Sequence, residues 1–228
     1  MKSGLAITLV SGGLDSCLSA AIAAQNYKLA FLHINYGQKT EKRELQAFHD
    51  IAEYYRVDKR LVVDMHFFSQ IGGSSLTDVN LEVSRANLNN KQIPSSYVPF
   101  RNANILSIAT SWAEVIGAEK LFIGAVEEDS SGYPDCREDF FKIFNKAIAA
   151  GTRPGSGIEI ITPLIHMSKE QIVKEALKYK APIHLTWSCY QKETIACGIC
   201  DSCALRLRGF QKAGKKDPIQ YETIPSYV

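Results

Sequence analysis

Apolar residues alternate along the chain between two rhythms. Short continuous runs at 5–10, 29–35, 61–64, 121–124 and 158–161 read as buried strands. Between them lie stretches of helical period at about 15–26, 40–56, 102–116 and 137–150, the last with Phe140, Phe141, Phe144 and Ile148 near helical spacing. Ser168 followed by Gln171 forms a capping box that predicts a further helix through Tyr179, and a short helix is expected at 204–212. Strands alternating with helices predict a doubly wound α/β fold around a parallel sheet. The segment 65–100 breaks the rhythm. It is polar, carries Gly72-Gly73, Pro94 and Pro99, and has no strong period, so it reads as a long loop, functional or mobile. There is no internal repeat.

The predicted elements divide the chain into an α/β domain at 1–185 and a small C-terminal segment at 186–228 where cysteines concentrate. At 228 residues, with 46% hydrophobic and 22% charged positions, the chain can bury a core without disulfides. Lys and Arg number 26 against 24 Asp and Glu. So small a surplus argues against a protein that coats nucleic acid. The apolar run 103–113 stops at a charge well short of a membrane span. The first residues lack the apolar core and cleavage site of a signal peptide. A cytoplasmic location is expected.

Two motifs carry chemistry. The first is Ser11-Gly12-Gly13-Leu14-Asp15-Ser16, between the first strand and the first helix. Glycines allow close backbone approach to an anion, serines add hydroxyl donors, and the helix start supplies free N–H groups. Asp15 is placed to orient Mg2+ or a loop hydroxyl. Residues 209–215 fit most of a Walker loop, but Lys216 stands where Ser or Thr is required and no strand precedes it.

The second motif is Cys189, Cys197, Cys200 and Cys203, spaced C-x7-C-x2-C-x2-C. The two C-x2-C steps put three thiolates on one tight turn and the x7 loop returns the fourth, which suits tetrahedral zinc with no open position and makes the site structural. An iron–sulfur cluster is the competing reading, although no electron-transfer feature accompanies the cysteines. A third stretch, 130–137, gathers Ser130, Ser131, Tyr133, Asp135, Cys136 and Arg137 beyond the fourth strand, at the edge where open sheets bind ligands. Its plain reading is a Tyr-Pro-Asp turn with Arg137 starting a helix.

The loop Ser11 to Ser16 resembles the PP-loop of the ATP pyrophosphatases. With 35–38 (Asn-Tyr-Gly-Gln), 74–77 (Ser-Ser-Leu-Thr), 132–137 (Gly-Tyr-Pro-Asp-Cys-Arg) and 186–203, the chain resembles the 7-cyano-7-deazaguanine synthase (QueC) family over nearly its whole length. That resemblance implies an adenine-nucleotide α-hydrolase-like sheet with a zinc knot and a homodimer. It also implies an ATP-dependent ligase that turns 7-carboxy-7-deazaguanine and ammonia into the nitrile through an adenylated acid and an amide. ATP with Mg2+ would be held by Val10, Ser11, Gly12, Gly13, Leu14, Asp15, Ser16, Cys17, Leu18, Ser19 and Ala20. Cys17 is expected to be a buried small hydrophobe.

Arg101 and Arg137 are expected at the substrate carboxylate or the α-phosphate and Asp135 at the guanine-like edge. Tyr133 is expected to stack on the base, with Cys136 beside it as a packed thiol rather than a nucleophile. Without a Walker lysine, attack is expected at the α phosphorus, releasing AMP and pyrophosphate, twice per nitrile. Asn35, Lys39 and Phe100 depart from the family pattern at positions expected to touch the pocket. Competing functions are a paralogue that couples the deazapurine to a protein amine, a tRNA-modifying PP-loop enzyme, and a non-catalytic zinc-stabilised module.

Overall fold

A computed structural model describes residues 4–89, 92–127 and 132–228. Five strands, β1 (Leu5–Leu9), β2 (Lys28–Asn35), β3 (Arg60–Asp64), β4 (Lys120–Phe122) and β5 (Glu159–Ile161), form one parallel sheet in the order β3-β2-β1-β4-β5. Parallel pairing needs crossover connections, and α1 (Leu14–Asn26), α2 (Glu41–Tyr54), α4 (Arg101–Ile116) and α5 (Glu138–Gly151) lie between successive strands. A short α3 (Phe67–Ile71) precedes α4, and α6 (Lys169–Lys178) and α7 (Asp201–Lys212) follow the sheet.

Both faces of the sheet are covered because the strand side chains alternate. Ile7, Leu9, Leu32, Ile34 and Leu121 pack with Leu106 and Ala109 of α4 and Phe141 and Ile148 of α5. Phe31 points the other way, into a cluster with Leu18 of α1, Phe48 and Ile51 of α2, Ile172 of α6 and Phe210 of α7. The C-terminal segment therefore shares a core with the α/β domain. Gly209 allows this close packing: a Cβ there would sit 2.8 Å from the Lys169 carbonyl oxygen on α6.

Helix boundaries follow the apolar period to within one or two residues, except that α7 starts at Asp201 rather than Ala204, with Cys200 as its N-cap. Ser168 and Gln171 make both hydrogen bonds of the predicted capping box. The segment 65–100 forms α3 and a series of turns. It nevertheless buries Met65, Phe68, Leu76 and Val98 against the sheet, which makes it a wall of the core. Strand order reverses between β1 and β4, and the chain leaving these two strands borders the main cavity, at the topological switch point of an open sheet.

Candidate active site

The cavity, of about 270 Å3, is lined by residues from nine stretches of the chain. Its floor is the loop between β1 and α1. Gly12 adopts φ +89°, and a Cβ there would lie 2.7 Å from the Glu44 carbonyl oxygen, so both backbone conformation and space demand glycine. The hydroxyl of Ser11 accepts from the Gly13 N–H at 3.3 Å and donates to the Ser16 hydroxyl at 3.1 Å. Ser16 in turn donates to the Gly13 carbonyl at 3.1 Å. Gly13 caps α1 without a side chain, which leaves the first N–H groups of the helix for an anion.

Of the predicted nucleotide positions, Val10, Ser11, Gly13, Leu14, Asp15 and Ser16 line the cavity. Gly12 instead seats the loop on α2. Cys17, Leu18, Ser19 and Ala20 are buried in α1, and burial pushes the Cys17 thiol up to about 12. Their placement supports the loop without presenting side chains to it.

Two neighbours of the loop escaped sequence reasoning. Lys169, at the start of α6, reaches the cavity and pairs with the Asp15 carboxylate at 2.5 Å. Its only sequence signal was membership of a helix start, 154 residues from Asp15. Gly124, just past β4, also lines the cavity; a Cβ there would stand 2.7 Å from the Asp15 carbonyl carbon and 2.8 Å from the Ser16 nitrogen.

The opposite wall is aromatic. Tyr36, Tyr133 and Tyr190 line it with Arg101 and Cys136. The Arg101 guanidinium lies 4.9 Å from the centre of the Tyr36 ring. Tyr133 donates its hydroxyl to the Ser96 hydroxyl at 2.9 Å, which fixes its ring at the wall. Burial, reinforced by the nearby Asp135, pushes the Cys136 thiol up to about 12, so the sulfur is protonated at neutral pH.

Glu44, also missed, faces this wall from α2 and receives hydrogen bonds from the Thr40 hydroxyl at 2.7 Å and the Gln38 amide at 3.1 Å. Burial raises its carboxyl to about 7, against the pull of those two donors.

Other expected residues are placed differently. Asp135 is buried and does not line the cavity. Its carboxylate accepts the Asn102 N–H at 2.9 Å, and the Asn102 side chain donates back to the Asp135 carbonyl at 2.9 Å. Asp135 thus anchors the start of α4 and, through it, Arg101. Arg137 is the exposed N-cap of α5, and the structure does not bring it to the cavity. Ser130 and Ser131 lie outside the described residues.

The three family departures do not line the cavity either. Asn35 donates to the Asp64 carboxylate at 2.9 Å on the neighbouring strand, Lys39 reaches the Leu81 carbonyl, and Phe100 packs edge-on against Phe140.

The C-terminal segment closes the site. Trp187, Ser188, Tyr190 and Arg206 line the cavity, and the Trp187 N–H donates to the Gly12 carbonyl at 2.8 Å. Arg206 is buried and makes two bonds to Asp217, at 2.7 and 2.9 Å, and one to the Thr186 hydroxyl at 2.7 Å. Behind this wall the sulfurs of Cys189, Cys197, Cys200 and Cys203 lie within 4.8 Å of one another, all four residues buried. Backbone N–H groups of Gln191, Lys192 and Cys197 point at the Cys189 sulfur, and those of Ile199 and Cys200 at the Cys197 sulfur. Four sulfurs this close, in hydrogen-bond reach of so many donors, could hold a metal ion. Among the described residues no helix is long and apolar enough to cross a membrane.

A family model described as queuosine biosynthesis protein QueC matches residues 5–214. Two relatives, both 7-cyano-7-deazaguanine synthases, come from Chloroherpeton thalassium and from Chlorobium phaeobacteroides strain DSM 266. They are 58% and 57% identical over 224 residues, covering 98% of this chain and 99% of each relative. Among solved structures, the U34-tRNA thiolase NcsA from Methanococcus maripaludis, which carries a 4Fe-4S cluster, aligns with a TM-score of 0.50 at 13% identity. That alignment covers 85% of this chain and 60% of the thiolase, a likeness of fold.

Proposed function

The chain belongs to the family of queuosine biosynthesis protein QueC, and from that membership we propose how its cavity makes 7-cyano-7-deazaguanine. The enzyme is a synthase of this nitrile; the steps, the acceptor and the residue roles are our reading. The observation that carries it is one cavity lined both by the glycine loop with the start of α1 and by an arginine among tyrosines.

ATP binds with its β and γ phosphates on the loop Ser11–Ser16 and the free N–H groups of α1, where Lys169 adds the positive charge that a Walker lysine would otherwise supply. Mg2+ accompanies the nucleotide and balances its charge. The deazapurine stacks against the tyrosine wall, and Arg101 holds its carboxylate toward the α phosphorus. A carboxylate is a poor electrophile. Transfer of AMP to its oxygen creates a leaving group, and attack by ammonia then gives the amide. A second adenylation, on the amide oxygen, permits elimination to the nitrile.

Zinc, held by Cys189, Cys197, Cys200 and Cys203, would serve as a structural cross-link, and the chain around these cysteines holds Trp187, Ser188 and Tyr190 at the cavity. The test is mass spectrometry of products from 7-carboxy-7-deazaguanine, ATP and ammonium, with α-labelled ATP. Nitrile with label in AMP is expected, as is amide accumulation when ATP is limiting. Label confined to ADP refutes attack at the α phosphorus.

A further inference from the structure

We infer that Glu44 is the base for the substrate nitrogen: its carboxylate takes the protons that ammonia sheds on the way to amide and nitrile. The inference rests on the reaction proposed above.

Glu44 lines the cavity together with Ser11, Gly13, Tyr36 and Arg101, the residues assigned above to the nucleotide and the deazapurine acid. Its two oxygens are oriented by the Thr40 hydroxyl and the Gln38 amide. Thr40 and Gln38 are themselves buried, so the orientation is rigid. Both donors are neutral. They fix the carboxylate without neutralising it, and each oxygen keeps a lone pair for a further partner.

The other acidic groups around the cavity are already engaged, Asp15 with Lys169 and Asp135 with the start of α4. Among the described residues no lysine, arginine or histidine forms an ion pair with Glu44. The charged and titratable groups around it are Glu41 on α2, Arg101 on α4 and Tyr36 beyond β2. Arg101 is turned over the Tyr36 ring. A half-buried carboxylate with no ion-pair partner keeps the capacity to receive a proton or a small cation.

The chemistry balances on this group. The ammonia lone pair forms the C–N bond to the acyl adenylate, giving a tetrahedral adduct with a positive nitrogen. As the C–O bond to AMP breaks, with its electrons leaving on the phosphate oxygen, Glu44 takes one proton from nitrogen and the neutral amide remains. After the second adenylation the nitrogen loses its two remaining protons in turn, to Glu44 and thence to solvent, and AMP departs as the triple bond forms. A base must be unprotonated to act and protonated to pass its proton on, and a carboxyl raised to about 7 by burial does both near neutrality.

The experiment compares wild type, Glu44→Gln and Glu44→Asp in three assays. These are acid-dependent pyrophosphate–ATP exchange without ammonium, amide formation with ammonium, and conversion of added amide to nitrile. In Glu44→Gln, exchange is expected within about threefold of wild type, while both nitrogen-dependent rates fall about 10²–10⁴-fold, the range of a lost general base. Normalised to free ammonia, the wild-type rate should rise with pH through about 7 as Glu44 ionises, and that limb should vanish in the Gln variant.

Glu44→Asp keeps a base and should recover at least about tenfold of the loss together with the pH limb. It also serves as the reporter if the Gln variant does not fold. Loss of exchange in parallel with amide formation overturns the inference, as does a Gln variant with the wild-type amide rate or an Asp variant no better than Gln. A wild-type enzyme that exchanges pyrophosphate but forms no amide from ammonium overturns the reaction itself, a result distinct from these.

Discussion

Replacing Gly124 by alanine adds one methyl group at the point where the end of β4 touches the start of α1. The new carbon would lie 2.7 Å from the Asp15 carbonyl carbon and 2.8 Å from its oxygen and from the Ser16 nitrogen. Ordinary contact for such atoms is about 3.5 Å, so β4 and the loop must separate by about 0.8 Å. All three colliding atoms are backbone, and no side-chain rotation relieves them. Overpacking of this kind costs about 1–3 kcal/mol, which for a chain of this length lowers Tm by about 2–12 °C.

The kinetic effect should be larger in proportion. The loop that moves is the one proposed to hold the departing pyrophosphate, and a misplacement near 1 Å costs about 10²-fold in rate. Thermal unfolding and the kcat/KM for ATP, measured on the same preparation, check both halves. Gly151→Ala is the control, since no atom lies within 4 Å of the added carbon at that α-helical position. It should leave kcat/KM for ATP unchanged and raise Tm by about 1–4 °C. A Gly124→Ala enzyme with wild-type Tm and kcat/KM would refute the claim that this contact sets the loop's position.

Lys169→Met removes the cation beside Asp15 and should lower kcat/KM for ATP about 10²–10³-fold, while Tm moves by less than about 5 °C; steady-state kinetics and a melting curve decide. Elemental analysis should find zinc bound at the four cysteines. Cys200→Ser should lower Tm before it alters the chemical step, and iron with visible charge-transfer absorption would decide for a cluster instead. Arg101→Met should reduce kcat/KM for the deazapurine acid by about 10² or more, through loss of a charge-stabilising donor in the cavity wall. Arg137→Ala, made beside it, tests a side chain at the exposed N-cap of α5. A loss as large as that of Arg101 would bring Arg137 against the substrate in the occupied site.

The local features of this chain were legible without its structure because local physics writes them. Apolar runs and helical periods located five strands and the main helices, since burial on a sheet face and on a helix stripe requires those spacings. The glycine loop proposed for phosphate stood out because close approach to an anion needs glycines at adjacent positions, and the cysteine cluster because its short steps bring thiols together.

What the tertiary structure alone decided was which residues meet. The chain order of β4 and α6 does not disclose that Gly124 abuts Asp15 or that Lys169 pairs with it; both follow from the strand order, which sets β4 beside β1 and brings α6 onto α1. Glu44 reads in sequence as one more acidic residue of an amphipathic helix, and only the packing of the β1–α1 loop on α2 brings it to the cavity. Asp135 and Arg137 sit two residues apart in a motif dense with chemistry, yet a turn of 3-10 helix points one inward under α4 and leaves the other at the surface. Side-chain direction at such a turn depends on backbone angles that neighbouring elements impose, and the sequence carries no periodic signal for it.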